Sequence, residues 1–234
     1  MRIVKIGAVV LITIVIIAGI AVPTSLHPSS WLEFPLIPSL EQKARNIFFH
    51  VPTAWTTVVA FLVSTFFGFR YLRTNDITYD IWSVSSASLG FLFCFLATVT
   101  GSVWAKFNWG SFWNWDPRET SIFVLLLIYG AYFALRSSLE NEELRAKLSA
   151  VYSIIAGLTA PFFIFVMPRI MSGLHPGSKG DPQGSGPVVN FTMSRNMLFV
   201  FFMGLIGFNL LYVWMLKLRV RIAKLEYEQS PHHH

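Results

Sequence analysis

Cysteine is nearly absent from this sequence. Cys94 is the single cysteine among 234 residues, and it lies inside an apolar run. One thiol cannot build a disulfide framework, a zinc site or an iron–sulfur site within the chain. The sequence also lacks a CxxCH motif, which excludes covalent attachment of haem of the kind that c-type cytochromes use.

Sequence motifs of common catalytic sites are missing as well. No GxxxxGK[ST] phosphate-binding loop is present, and its nearest approximation, Gly177-Ser178-Lys179, lacks the upstream spacing. The chain contains neither an HExxH motif nor a serine in a GxSxG context. The sequence therefore predicts a protein that is not an enzyme and does not hydrolyse nucleotides.

Charged side chains are scarce. They make up 13% of the chain, whereas 54% of the residues are hydrophobic; ordinary soluble domains are about 25% charged. A soluble protein of this composition could not cover its surface with polar groups, so we expect an integral membrane protein. The formal net charge of +6 then reflects topology and contact with membrane lipid, and not binding to nucleic acid.

Long apolar runs dominate the remainder of the sequence. A membrane-spanning helix needs about 20 mostly apolar residues, and six such runs cover residues 3–22, 47–69, 82–104, 119–135, 148–171 and 196–216. The first run has a basic start, as a secretory signal would, but five further runs follow and we expect it to be retained. Pro161 and Pro168 are expected to kink the fifth run.

These runs predict an all-α integral membrane protein with six transmembrane helices. We expect a single six-helix domain over residues 1–231, in which His232, His233 and His234 are excluded as the remnant of a purification tag. Small residues in the third run, such as Ser86 and Gly90, are suited to close packing between helices.

Lysine and arginine are distributed unequally between the two sets of connecting segments. One set carries Arg2, Lys5, Arg70, Arg73, Arg136, Arg145, Lys147, Lys217, Arg219, Arg221 and Lys224. The other carries Lys43, Arg45, Lys106, Arg118, Arg169, Lys179 and Arg195, although its loops are longer. The positive-inside rule then predicts that both termini are cytoplasmic. His27, His50 and His175 fall on the outer face.

Tryptophan is concentrated in residues 104–120, which read WAKFNWGSFWNWDPRET. This tryptophan-rich segment, expected to form a loop, holds four of the eight tryptophans: Trp104, Trp109, Trp113 and Trp115. Large aromatic faces beside a carboxylate and an arginine suit a flat apolar ligand with a charged rim. Two plainer interpretations compete. Tryptophan collects at membrane interfaces in general, and Asp116-Pro117-Arg118-Glu119 is typical of a helix start, with Asp116 as the N-cap.

The fixed order of the segment is more regular than an interfacial belt requires. Trp109-Gly110, Trp113, Trp115-Asp116, Arg118 and Thr120 resemble the tryptophan-rich WWD signature of bacterial haem-handling proteins. Within that group the chain resembles the cytochrome c maturation protein C family, the haem exporter subunit. The family's H-V-P-x-A-W context is matched by residues 50–55, and its L-H-[PQ] context is matched more loosely by residues 174–176.

The resemblance implies that His50 and His175 are axial ligands of haem. The residues themselves are compatible with this assignment, because haem iron is commonly held by neutral imidazoles and the two histidines lie on separate segments flanking the tryptophans. A lone histidine near a membrane surface is more often a surface residue. His27 matches no family motif and is expected to be a loop residue or a spare ligand.

Four cationic residues lie near the same outer boundary: Arg45, Lys106, Arg118 and Arg169. Haem propionates are carboxylates, which a fork-shaped guanidinium pairs with well. Arg118 is our choice because it lies inside the signature. Trp55, Phe48, Phe49 and Phe112 are further candidates to line the pocket, although ordinary helix packing explains them equally well.

The resemblance further implies a haem platform on the periplasmic side of a bacterial inner membrane. Such a protein holds haem b non-covalently and delivers it to a periplasmic haem chaperone. Its other expected partners are the membrane and ATPase subunits of an ABC transporter and a small single-span subunit. Three alternatives stay open: direct delivery of haem to apocytochrome, a haem-bearing subunit of a membrane electron-transfer enzyme, and a scaffold subunit without haem.

Overall fold

The computed structural model of the protein describes residues 1–37, 40–175, 178–179 and 193–229. Within these ranges, six helical segments are long and apolar enough to cross a membrane. The helices are α1 (Arg2–Ala21), α2 (His50–Thr74), α3 (Ile77–Trp109), α4 (Pro117–Ser137), α5 (Glu142–Pro161), the short α6 (Met167–Ile170) and α7 (Arg195–Glu228). The prediction of an all-α integral membrane protein with six transmembrane helices is confirmed.

The fifth span is irregular where proline was expected to disturb it. Helix α5 ends at Pro161, and residues Phe162–Val166 form a π-helical turn before α6. Proline removes a backbone N–H from the helical ladder, and wide turns of this kind accommodate the loss. The fifth span therefore consists of two α-helical pieces that meet at Phe162–Val166.

The segment between α1 and α2 folds back on itself through a small parallel pairing. Strand β1 (Thr24–Ser25) pairs with β2 (Phe34–Pro35). A 3-10 helix, Glu41–Phe48, then leads directly into α2. This arrangement delivers His50 as the first residue of α2.

Small residues bring the helices close together. A Cβ atom at Gly90 of α3 would clash with the ring of Phe61 on α2, and the neighbouring Ser86 donates to the carbonyl of Ala60 at 2.6 Å. Gly207 of α7 lies against Leu11 of α1 in the same way. Close approach through small residues is the usual means of association between membrane helices, and the sequence had predicted it for α3.

Successive spanning helices alternate in direction, so the bundle has two distinct ends. We call the end where α3 and α6 finish and α2 and α4 begin the histidine end. At the opposite end, Arg136 of α4 forms a two-pronged ion pair with the buried Asp80 of α3. Both residues lie outside the apolar runs of the sequence, but the helices extend beyond those runs and include them.

Candidate functional site

His50 is held by the side chain of Thr100. The Nδ1 atom of His50 lies 3.0 Å from Oγ1 of Thr100 on α3. The same hydroxyl donates to the carbonyl of Leu96 at 2.9 Å. Because a carbonyl can only accept, the hydroxyl uses its hydrogen there and accepts a hydrogen bond from Nδ1–H of His50. This arrangement puts the proton on Nδ1 and the lone pair on Nε2, which has no side-chain partner among the described residues.

Glycine at position 101 makes room for the His50 ring. A Cβ atom built at Gly101 would lie 2.9 Å from Cε1 of His50, which is closer than real Cβ contacts. The imidazole therefore lies directly on the backbone of α3, and a larger residue would push it away.

His175 is held by a carboxylate. Oδ1 of Asp116 lies 2.6 Å from Nδ1 of His175, and Oδ2 accepts the backbone N–H of Leu174 at 2.6 Å. Asp116 also caps α4: it accepts from the N–H of Arg118 at 2.9 Å and forms a capping box with Glu119. The predicted helix cap is confirmed, and the same side chain anchors the segment that carries His175.

The carboxyl group of Asp116 is ionised at neutral pH. Its burial opposes ionisation, but the hydrogen bonds and charge of His175, with the N–H groups of Arg118 and Leu174, outweigh that effect and lower the pKa to about 2. An ionised carboxylate accepts only. His175 therefore donates from Nδ1–H, and in the neutral imidazole, the form that binds a metal, Nε2 is the nitrogen that carries the lone pair.

Two tryptophans enclose the His175 ring. Trp104 stacks beside it, with ring centroids 5.9 Å apart and planes inclined by 28°. Trp109 meets it edge-on at 4.7 Å and 74°. Both tryptophans lie on the last turns of α3. These contacts and the bond to Asp116 fix both the position and the orientation of the imidazole.

Trp113 and Trp115 form a separate pair. Their rings meet at 5.8 Å and 90°, and Trp113 also contacts Phe123 of α4 at 6.0 Å. Trp115 is 69% exposed and has a positive φ of 56°, a backbone conformation that is rare and costly for a bulky residue. The second pair therefore presents aromatic surface at the histidine end.

The tryptophan-rich segment is not one loop, contrary to the expectation for residues 104–120. Helix α3 continues to Trp109, and α4 begins at Pro117. Gly110 ends α3 in the left-handed conformation, with φ of 81°, which glycine adopts without strain. Only residues 110–116 connect the helices.

Of the four cations considered, Arg118 has the clearest unmet hydrogen-bonding capacity. Its buried Nε atom has no hydrogen-bond partner among the described residues. Arg45 donates to the backbone carbonyls of Gly19 and Val22. Lys106 donates to the backbone carbonyl of Gly110 at 2.9 Å, and Arg169 donates to that of Phe165. An unpaired guanidinium N–H suits an incoming carboxylate.

The other candidates are in less specific surroundings. Trp55 of α2 is 41% exposed and contacts Phe165. Phe48 is fully buried in the core and so packs between helices. His27 lies in an exposed loop, where its backbone N–H bonds to Ser25.

Six spanning helices define a multi-pass membrane protein, and two of its histidines each have Nδ1 engaged by a defined partner. In the described part of the chain, no three His, Cys, Asp or Glu side chains cluster as a bare metal ion would require. Two opposed imidazoles are instead a common ligand set for haem iron.

Comparison with known proteins identifies the family. The family model described as Heme exporter protein C matches residues 3–233, and the chain belongs to this family. It is 28% identical to Heme exporter protein C of Bradyrhizobium diazoefficiens over 169 residues, or 72% of this chain and 62% of that protein. It is 26% identical to the Rhodobacter capsulatus protein of the same name over 191 residues, 80% and 75% of the two chains. It is also 37% identical to the cytochrome c biogenesis protein CcsA of Panax ginseng, over 49% of this chain and 35% of that protein.

Proposed function

We propose that this protein binds haem b non-covalently at the histidine end, with His50 and His175 as axial ligands. The observation that carries the proposal is the common state of the two rings. Each has Nδ1 engaged by a defined acceptor, and neither Nε2 has a side-chain hydrogen-bond partner among the described residues. His175 and Arg118 both lie close enough to His50 for their charges to act on it. Free Nε2 atoms on two separate segments suit coordination from the two faces of a porphyrin.

The surrounding residues have the chemistry that the remainder of haem requires. Trp55, Trp104, Trp109, Trp113 and Trp115 offer aromatic surface for the macrocycle, and Gly110 shapes the turn between them. The unpaired Nε of Arg118 is the donor for a propionate. Asp116 acts through His175, since both of its carboxylate oxygens already accept hydrogen bonds from N–H groups of the protein.

The proposed setting is a bacterial inner membrane with the histidine end facing the periplasm. The unequal distribution of lysine and arginine supports this orientation and cytoplasmic termini. Haem held there is accessible to a soluble partner, and we propose delivery to a periplasmic haem chaperone for the maturation of c-type cytochromes.

The chain carries no nucleotide-binding motif of its own. An energy-driven export step therefore requires partners, which we propose to be the membrane and ATPase subunits of an ABC transporter and a small single-span subunit. The role of this chain is to bind and present haem, without catalysing a reaction.

The chain is also similar over about half of its length to a protein of cytochrome c biogenesis, and a second candidate function is direct delivery of haem to an apocytochrome. The two candidates are separated by incubating the purified haem-loaded protein with a haem chaperone or with an apocytochrome c. Transfer of haem from the membrane protein to the chaperone, and not to the apocytochrome, supports the first function. Transfer to apocytochrome without the chaperone would support the second.

A further inference from the structure

We infer that His175 is the stronger axial ligand of the iron and His50 the weaker one. His50 is therefore the ligand that dissociates first, while His175 stays coordinated. This inference rests on the proposed haem site. It concerns the residues behind the ligands, Thr100 and Asp116, and assigns them different effects on the iron.

The partner of His175 is a buried, charged acceptor. The Asp116 side chain is completely shielded from solvent. Its two oxygens accept four hydrogen bonds, from Nδ1 of His175 at 2.6 Å and from the backbone N–H groups of Arg118, Leu174 and His175 at 2.9, 2.6 and 3.4 Å. Such a carboxylate is fixed in place and cannot turn away from the ring.

The acceptors at the His50 ring are neutral groups, the hydroxyl of Thr100 and the backbone carbonyl of Ala97. Thr100 Oγ1 lies 3.0 Å from Nδ1 of His50 and already donates to the carbonyl of Leu96. The bond is longer than that of His175 and lacks the acceptor charge that roughly doubles hydrogen-bond strength.

The difference between the two Nδ1 acceptors changes how strongly each imidazole binds the iron. An Nδ1–H bond to a carboxylate raises the electron density on Nε2 and makes the ring a stronger ligand. A bond to a neutral hydroxyl does so much less. The rings of Trp104 and Trp109 pack against His175 and further restrain it. The His50 ring instead lies against the backbone of α3 at Gly101. With haem bound, the coordination position of His50 would therefore be the one that opens to an incoming donor.

Carbon monoxide is a suitable probe of this asymmetry. It binds ferrous haem by replacing the weaker axial ligand, and its vibrational frequencies report the donor strength of the ligand that remains opposite. We expect the C–O and Fe–CO frequencies of the wild-type protein to coincide with those of His50→Ala and to differ from those of His175→Ala. Coincidence with His175→Ala, or identical frequencies in the two single variants, would overturn the inference.

Variants behind the ligands supply a second, independent comparison. Asp116→Asn keeps an N-cap acceptor but loses the charge, so it should move the frequencies of the wild-type carbon monoxide adduct. Thr100→Val should leave them unchanged, and Thr100→Ser, which keeps the hydroxyl, is the matched control. A shift with Thr100→Val and none with Asp116→Asn contradicts the inference. If both single histidine variants keep a six-coordinate bis-histidine spectrum before carbon monoxide is added, the haem ligands themselves are wrongly assigned.

Discussion

Asp116 and His175 are joined by a 2.6 Å contact between Oδ1 and Nδ1, although 59 residues separate them in the sequence. Asp116 belongs to the tryptophan-rich segment and caps α4, while His175 follows the fifth span. One buried carboxylate therefore connects the aromatic surface to a proposed iron ligand.

Replacing Asp116 with alanine should damage both the fold and the site. Loss of an N-cap costs about 1 kcal/mol, and four hydrogen bonds to the carboxylate disappear. We expect a larger fall in melting temperature than for Asp76→Ala, which removes the N-cap of α3 at the opposite end. Haem content after purification should fall only for Asp116→Ala. Equal effects of the two variants would mean that Asp116 is merely a cap.

Replacing Gly101 with alanine should displace His50. A Cβ atom there would lie 2.9 Å from the imidazole, so the ring must move and the six-coordinate haem spectrum should weaken. Gly130→Ala is the matched control, because among the described residues no atom beyond the backbone of its own helix lies within 4 Å of its Cβ position, and alanine is the better helix former. A Gly101→Ala protein with an unchanged spectrum would show that the position of the ring is not critical.

The local chemistry of the fold could be predicted from the sequence, whereas contacts between distant segments could not. Apolar length gave the six spans, and Asp116-Pro117-Arg118-Glu119 gave the start of α4. Hydropathy could not show that α3 continues to Trp109, because Lys106 and Asn108 interrupt the apolar pattern while the helix persists. The role of Thr100 was also hidden, since which face of α3 meets His50 depends on the packing of two helices.

The effect of replacing Trp113 and Trp115 on haem content tests whether the tryptophans form a haem platform or an interfacial belt. Burying an aromatic face is worth up to about 3 kcal/mol, so the double alanine variant should lose most of its haem while remaining folded. Trp31→Ala is the control, since Trp31 is also exposed and contacts Phe199 of α7. Equal haem content in both variants would favour the belt.

The orientation in the membrane is testable by cysteine labelling. Ser111 and Ser138 are exposed at opposite ends of α4, and the native Cys94 is buried, so it should give little background. A membrane-impermeant thiol reagent applied from the periplasm should label Ser111→Cys and leave Ser138→Cys unlabelled. Labelling of Ser138→Cys alone would invert the proposed topology.

The most direct test of the haem site is the absorption and electron paramagnetic resonance spectrum of its histidine variants. Either His50→Ala or His175→Ala should convert six-coordinate haem to a five-coordinate or weakly bound form, and the double variant should lose iron coordination. His27→Ala, the control in the exposed loop, should leave the spectrum unchanged. Retention of the wild-type six-coordinate signature by both single variants would contradict the assignment, and its loss in His27→Ala would place a ligand there instead.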